Sequence, residues 1–256
     1  MSTSRGRRAL RRWIPNQHGA WAMLVVPFLA GALLGGFDAW HAVLLPAWLL
    51  AYCTAFHGQQ YVRLRRVSRN PRAPRRHLAP LAGFGAAFAV CAVPLAVARP
   101  WLLLAGLCAA PFFAVNVGYA YRNKERATVN GIAAVVPACG MLLVSYRLGS
   151  GTVDSGAWRA AAACFLYFTG TVLHVKTMIR ERGSEVFRVA SAVYHGLAVV
   201  AAVLLEPWLA VPFAVFFLRA VALPARDLRV AVVGAVEVLC SVLLPVFLVC
   251  GRLFSG

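Results

Sequence analysis

Side chains able to bind a ligand or move a proton are gathered in a few short stretches of the chain. Asn16, Gln17 and His18 stand together near the start. His57, Gln59, Gln60 and Arg63 follow, then Asn116, Tyr119, Tyr121, Arg126 and Asn130. A third group holds Thr169, Thr171, His174, Lys176, Thr177, Arg180 and Glu181, and Tyr194 with His195 closes the series. On a helix, His57, Gln60 and Arg63 or Leu64 fall at i, i+3 and about i+7, on one stripe. His174, Met178 and Glu181 make a second stripe, with Lys176 and Arg180 an adjacent i, i+4 pair. Imidazole titrates near neutrality, so His57 and His174 are the candidate proton donors or acceptors. The forks of Arg63, Arg126 and Arg180, with the ammonium of Lys176, suit phosphate. The groups together suggest a polar cavity. The plainer alternative is a set of interfacial residues hydrogen-bonded between helices.

The elements that would position them are membrane helices. Of 256 residues, 61% are hydrophobic and 13% charged, with 26 Lys and Arg against 8 Asp and Glu, for a net +18. That apolar content excludes disorder, and the length excludes a disulfide scaffold. A nucleic-acid binder would explain the charge but not a mean hydropathy of +0.72. A helix needs about 20 apolar residues to cross a core roughly 30 Å thick. Nine stretches qualify: 20–37, 40–58, 78–98, 101–121, 129–146, 157–175, 189–205, 207–223 and 230–250. The seventh is short and holds His195; the eighth carries Pro212 and Arg219, the latter expected to snorkel to the headgroups. The expected fold is therefore all-α, a polytopic integral membrane protein.

Charge placement orients it. Segments 1–19, 59–77, 122–128, 176–188 and 219–229 hold 22 of the 26 Lys and Arg, leaving Arg99, Arg147, Arg159 and Arg252 elsewhere. With nine spans these segments share one side, which the positive-inside rule makes cytoplasmic. The N-terminus is then inside, the C-terminus outside, and the location the cell's inner (plasma) membrane. Trp40, Trp101, Trp158 and Trp208 open even-numbered spans at the outer headgroup level, whereas Trp48 reads as buried. Five of six histidines lie on the inner side, His41 being the exception.

Residues 1–19 form a basic interfacial segment ahead of a retained first helix, and 20–256 a single transmembrane domain, since no polar stretch is long enough for a soluble core. Segment 63–77 (RLRRVSRNPRAPRRH) has no acid. It is either a solvated loop on anionic lipid, at about 1 kcal/mol per charge, or a phosphate-binding element. All seven cysteines lie within spans as small apolar residues, without metal or redox spacing. Glu237, two turns into the last span, is either interhelical glue meeting an inner Arg or part of the cavity. The bilayer and its anionic inner-side lipids are the expected partners; nothing points to nucleic acid, a metal, a named cofactor or an oligomeric state.

Segment 13–28, WIPNQHGAWAMLVVPF, and segment 170–182, GTVLHVKTMIRER, followed by Tyr194–His195, resemble the YwiC-like family of bacterial membrane proteins, a family without an established activity. In topology the chain also resembles the UbiA prenyltransferase superfamily: nine helices, an inside N-terminus, and long inner loops after helices two and six. That resemblance implies a UbiA-like bundle acting on isoprenoid diphosphates. Its first loop opens on an N-D-x-x-D-type motif that holds Mg²⁺, whereas His57-Gly58-Gln59-Gln60-Tyr61-Val62-Arg63 contains no acid. The second loop offers Glu181 and Glu185, expected to pair with Arg180 and Arg182.

Three functions fit these residues. The first is binding of a phosphate-bearing lipid or isoprenoid in a cytoplasm-facing cavity, as a divergent transferase without the Asp-rich motifs. The second is small-anion transport. The third is a haem-binding redox component, with His57, His174 and His195 as possible ligands.

Overall fold

A segment crossing lipid must satisfy its own backbone polar groups, as a helix does within one run, and among the described residues every regular element is helical. The computed structural model describes residues 13–15, 17–226 and 228–254. Among them are nine helices of 13 residues or more: α1 (His18–Gly35), α2 (His41–Val67), α3 (Leu78–Ala98), α4 (Trp101–Tyr121), α5 (Thr128–Ser150), α6 (Ser155–Ile179), α7 (Glu185–Leu205), α8 (Ala210–Ala222) and α9 (Val230–Phe254). Six are long and apolar enough to cross a membrane. The first and eighth are shorter apolar helices, and α2 is long but polar over its last third. The chain is a polytopic membrane protein.

Two compact units divide it: residues 1–18 with 39–130, and residues 19–38 with 131–256. In the first unit α2 packs along α3 and α4. The edge of Trp13 meets Phe84 at 6.1 Å, across Gly83. Val90, Val93, Val97, Leu103, Leu104 and Leu107 of α3 and α4 are exposed, a surface suited to hydrocarbon and not to water. Trp48 is buried, as its place in mid-span predicts.

In the second unit α6 is the hub, packing on α7, α8 and α9 around Tyr167, Phe168, Phe213 and Phe216. Helices α1 and α5 meet almost backbone to backbone. A Cβ on Gly31 would strike Leu142 O, and one on Gly35 would strike Tyr146 O. Small residues at four-residue spacing permit such contact between membrane helices. Ser145 Oγ adds a 2.8 Å hydrogen bond to Phe28 O. Asp154 caps α6, its Oδ1 accepting from Ala157 N at 2.8 Å, and Ser184 caps α7 through Phe187 N.

Candidate functional site

In the first unit, residues near the ends of α2 and α4 form two hydrogen-bonded groups. His57 is 1% exposed. Its Nε2 lies 2.7 Å from Trp13 O, so that nitrogen carries the proton and donates; Nδ1 must then accept from His77 Nδ1 at 2.9 Å. His77 Nε2 in turn accepts from Arg76 Nε at 3.3 Å. Both nitrogens of His57 are thus committed to holding Trp13 and His77 against α2.

Glu125 centres the second group. It accepts from Gln60 Nε2 at 3.0 Å and pairs with Arg63 Nη1 at 3.1 Å. Arg63 Nε also donates to Asn123 Oδ1 at 2.9 Å. Asn123 ends α4 in the left-handed conformation (φ 54°), which asparagine tolerates better than most residues. Asn116 bridges to Asn130 O and Oδ1 at 3.0 and 2.7 Å, and Asn130 returns to Glu125 O at 2.8 Å. Gln60, Arg63, Asn116 and Asn130 therefore converge, through an acid that the sequence pattern did not single out. Gln17 accepts from Tyr52 at 3.1 Å, and Arg126 is exposed. Asn16 and the side chain of His18 lie outside the described residues.

Just beyond Val67 the chain builds a basic pocket of about 370 Å³, lined by Tyr61, Leu64, Arg65, Ser68, Arg69, Asn70, Pro71, Pro74 and Arg75. Ser68 N closes α2 on Leu64 O, Ser68 Oγ accepts from Asn70 N, and Asn70 Oδ1 accepts from Arg72 N at 2.9 Å. Pro71 then opens a one-turn helix, Arg72–Arg75, that brings Arg75 back beside Arg65 and Arg69. No acidic side chain lines this pocket among the described residues.

The second unit holds a different cluster, sealed inside its helices. Arg219 of α8 and Glu237 of α9 are 6% and 7% exposed. Arg219 Nη1 lies 2.8 Å from both carboxylate oxygens and donates to Oε2. The expectation that Arg219 snorkels to the headgroups is corrected: a buried carboxylate holds it inside, stacked 5.8 Å from Tyr167 and 5.7 Å from Phe216. Of the alternatives for Glu237, pairing with an Arg of a neighbouring helix is what occurs. His195 Nδ1 lies 2.7 Å from Ser191 O, so it donates there, and its Nε2 faces Arg219 Nη2 at 3.4 Å as the acceptor. Gly170 makes room for this ring, since a Cβ there would sit 2.8 Å from His195 Nε2. His174 is fully buried, with Nε2 3.7 Å from Glu237 Oε1.

Lys176 lies outside that cluster, its ammonium 4.9 Å over Phe187, while Arg180 is exposed and Glu181 half-buried at the end of α6. The expected pairing of Glu185 with Arg180 or Arg182 is replaced: Glu185 pairs with Arg188 at 2.6 Å, one helical turn away, and Arg182 donates to Leu228 O. Among the described residues no group of three or more His, Cys, Asp or Glu could hold a metal ion.

Comparison with known proteins names a family without naming a reaction. The model of the YwiC-like protein family matches residues 14–146. The chain is 32% identical over 231 residues to the uncharacterized protein YwiC of Bacillus subtilis (strain 168), covering 90% of this chain and 93% of that one. An uncharacterized protein of Haemophilus influenzae is 29% identical over 231 residues, covering 88% and 92%. No solved structure matches the chain. The blocks around Trp13–Phe28 and Gly170–Arg182 thus pointed to the right relatives, and the chain belongs to the YwiC-like protein family.

Proposed function

We propose that this multi-pass membrane protein binds a phosphate-bearing lipid or isoprenoid at its basic, cytoplasmic end, with the phosphate in the pocket of Arg65, Arg69 and Arg75. The observation that carries the reading is that three guanidinium groups share one cavity with Ser68 and Asn70 and no acid. Guanidinium forks match phosphate geometry, and like charges brought together without a counter-ion favour an anionic occupant. Leu64, Pro71 and Pro74 supply apolar wall for the first carbons of a tail. Arg63 is committed to Glu125 and Lys176 to a ring face, which leaves the phosphate role to residues further along segment 63–77. Binding is the whole of the proposed activity; no transfer step is assigned.

Native mass spectrometry of the solubilised chain with farnesyl phosphate, farnesol and inorganic phosphate tests it. The phosphate-bearing lipid should be retained and farnesol lost. The triple substitution Arg65→Ala, Arg69→Ala, Arg75→Ala should abolish retention, while Arg126→Ala leaves it intact. Equal retention of farnesol would count against the reading. The second reading, small-anion transport, draws on the ionisable groups inside the second unit; uptake of labelled phosphate into proteoliposomes would favour it.

A further inference from the structure

Buried polar atoms in native proteins nearly always find a partner, and an orphan asks for a reason. His174 is 0% exposed, and neither ring nitrogen has a hydrogen-bond partner among the described residues. Opposite it, Glu237 Oε1 lies 2.8 Å from Arg219 Nη1 as an ion-pair contact, but the directed hydrogen bond of that guanidinium goes to Oε2. The unpartnered His174 Nε2 faces this oxygen at 3.7 Å. No heavy atom fits into that gap, but a proton does. A pair serving only as glue between helices would have closed the contact, since leaving a buried group unsatisfied costs about 1–3 kcal/mol.

We propose that His174 and Glu237 form a proton-binding site inside the membrane-spanning part of the second unit, with His174 as the acceptor and Glu237 as the counter-charge that Arg219 keeps ionised. Without the proton the cluster is neutral: Arg219 is positive, Glu237 negative, and both imidazoles uncharged. Loading adds one proton to His174 Nε2 and one unit of charge; the ring then donates to Glu237 Oε1 and the gap closes to hydrogen-bond length. No other covalent bond changes.

The surroundings allow one acceptor. Arg219 acts on both rings, but His195 already donates from Nδ1 to Ser191 O and turns Nε2 toward that cation at 3.4 Å, whereas His174 Nε2 faces a carboxylate oxygen. Tyr167 donates to Glu237 O at 3.2 Å and Tyr194 to Leu166 O at 3.0 Å, which commits both phenols. Cys240 of α9 faces Arg219 and Glu237, and Cys139 of α5 lies toward Tyr194. Ionisable residues within membrane helices are costly to place there, and they mark ion pathways and proton relays. This site is independent of the phosphate pocket, and either can fail alone.

Solid-state NMR of the full chain in liposomes, with ¹⁵N-labelled histidine and ¹³Cδ-labelled glutamate, tests it between about pH 5 and 8, the range that histidine covers. A histidine Nε2 coupled to a glutamate Cδ should pass from imidazole to imidazolium as pH falls, and the coupling should strengthen. His174→Gln should remove that signal. If no glutamate-coupled ring titrates in the unsubstituted chain, or if the titrating ring survives His174→Gln, the proposal is overturned. The first of these outcomes needs no variant to fold.

Discussion

The two units use charge in opposite ways. The first unit gathers the seven arginines of segment 59–77 at one end, exposed or half-exposed, and among the described residues only Glu125 pairs with any of them. The second buries one arginine against one carboxylate, with two histidines beside them. Water and salt screen the first set, so it stabilises little and remains available to an anion. The second set is desolvated, so each member depends on the others. Charge count therefore says little about where charge acts; burial decides it.

The comparison breaks first at Glu237. Glu237→Ala leaves Arg219 buried without its partner, and the loss should be about 3–5 kcal/mol, read as a fall in thermal midpoint in detergent. Replacing both, Arg219→Met with Glu237→Leu, should recover most of that loss. A double variant as unstable as the single one would refute the assignment of a desolvated pair. Arg63→Ala, which removes the half-exposed partner of Glu125, should cost about 1 kcal/mol or less. Raising salt should shrink that cost while leaving the Glu237 effect in place.

The smallest expected effect is at Asp154. The Tyr146 hydroxyl at 2.5 Å, followed by the Ala157 N–H, holds its carboxyl below the ordinary value of 3.8. A depressed carboxylate contributes stability above its unfolded value, and that contribution is lost as pH falls through the folded one. Asp154→Asn should therefore flatten the acid limb of a stability–pH curve below about pH 4, the small loss being greatest at neutrality and vanishing in acid.

Much of the fold was legible because membrane helices announce themselves by length and hydropathy. The reading of 78–98 and 101–121 coincides with α3 and α4. Where limits differed, polar residues had extended a helix past its apolar run. The second span continues to Val67 through Gln59, Gln60, Arg63 and Arg65, all good helix formers. The seventh starts at Glu185, not 189, because Ser184 caps it. Pro207 and Trp208 form a 3₁₀ turn ahead of the shorter α8.

The candidate sites were legible only in part. Helical spacing placed Gln60 with Arg63, which do lie together, but it could not show that Glu125, 65 residues beyond Gln60, completes their group. The signal available was rarity: Glu125 and Glu237 are two of 8 acids in 256 residues, and Arg219 is a single charge inside an apolar run. Partners across helices leave no period in a sequence. Arg65, Arg69 and Arg75 were in view as an acid-free segment, but the turn at Ser68–Pro71 that folds them around one cavity was not.

The most direct test measures ligand and fold in the same sample. For the unsubstituted chain and the Arg65→Ala, Arg69→Ala, Arg75→Ala variant, retention of farnesyl phosphate and thermal midpoint are recorded together. Binding by the exposed arginines predicts that the variant loses the lipid while its midpoint stays within about 1 °C, as surface changes far from a core allow. Retention of the lipid by the variant, or its loss only alongside a collapse of the midpoint, would contradict the account.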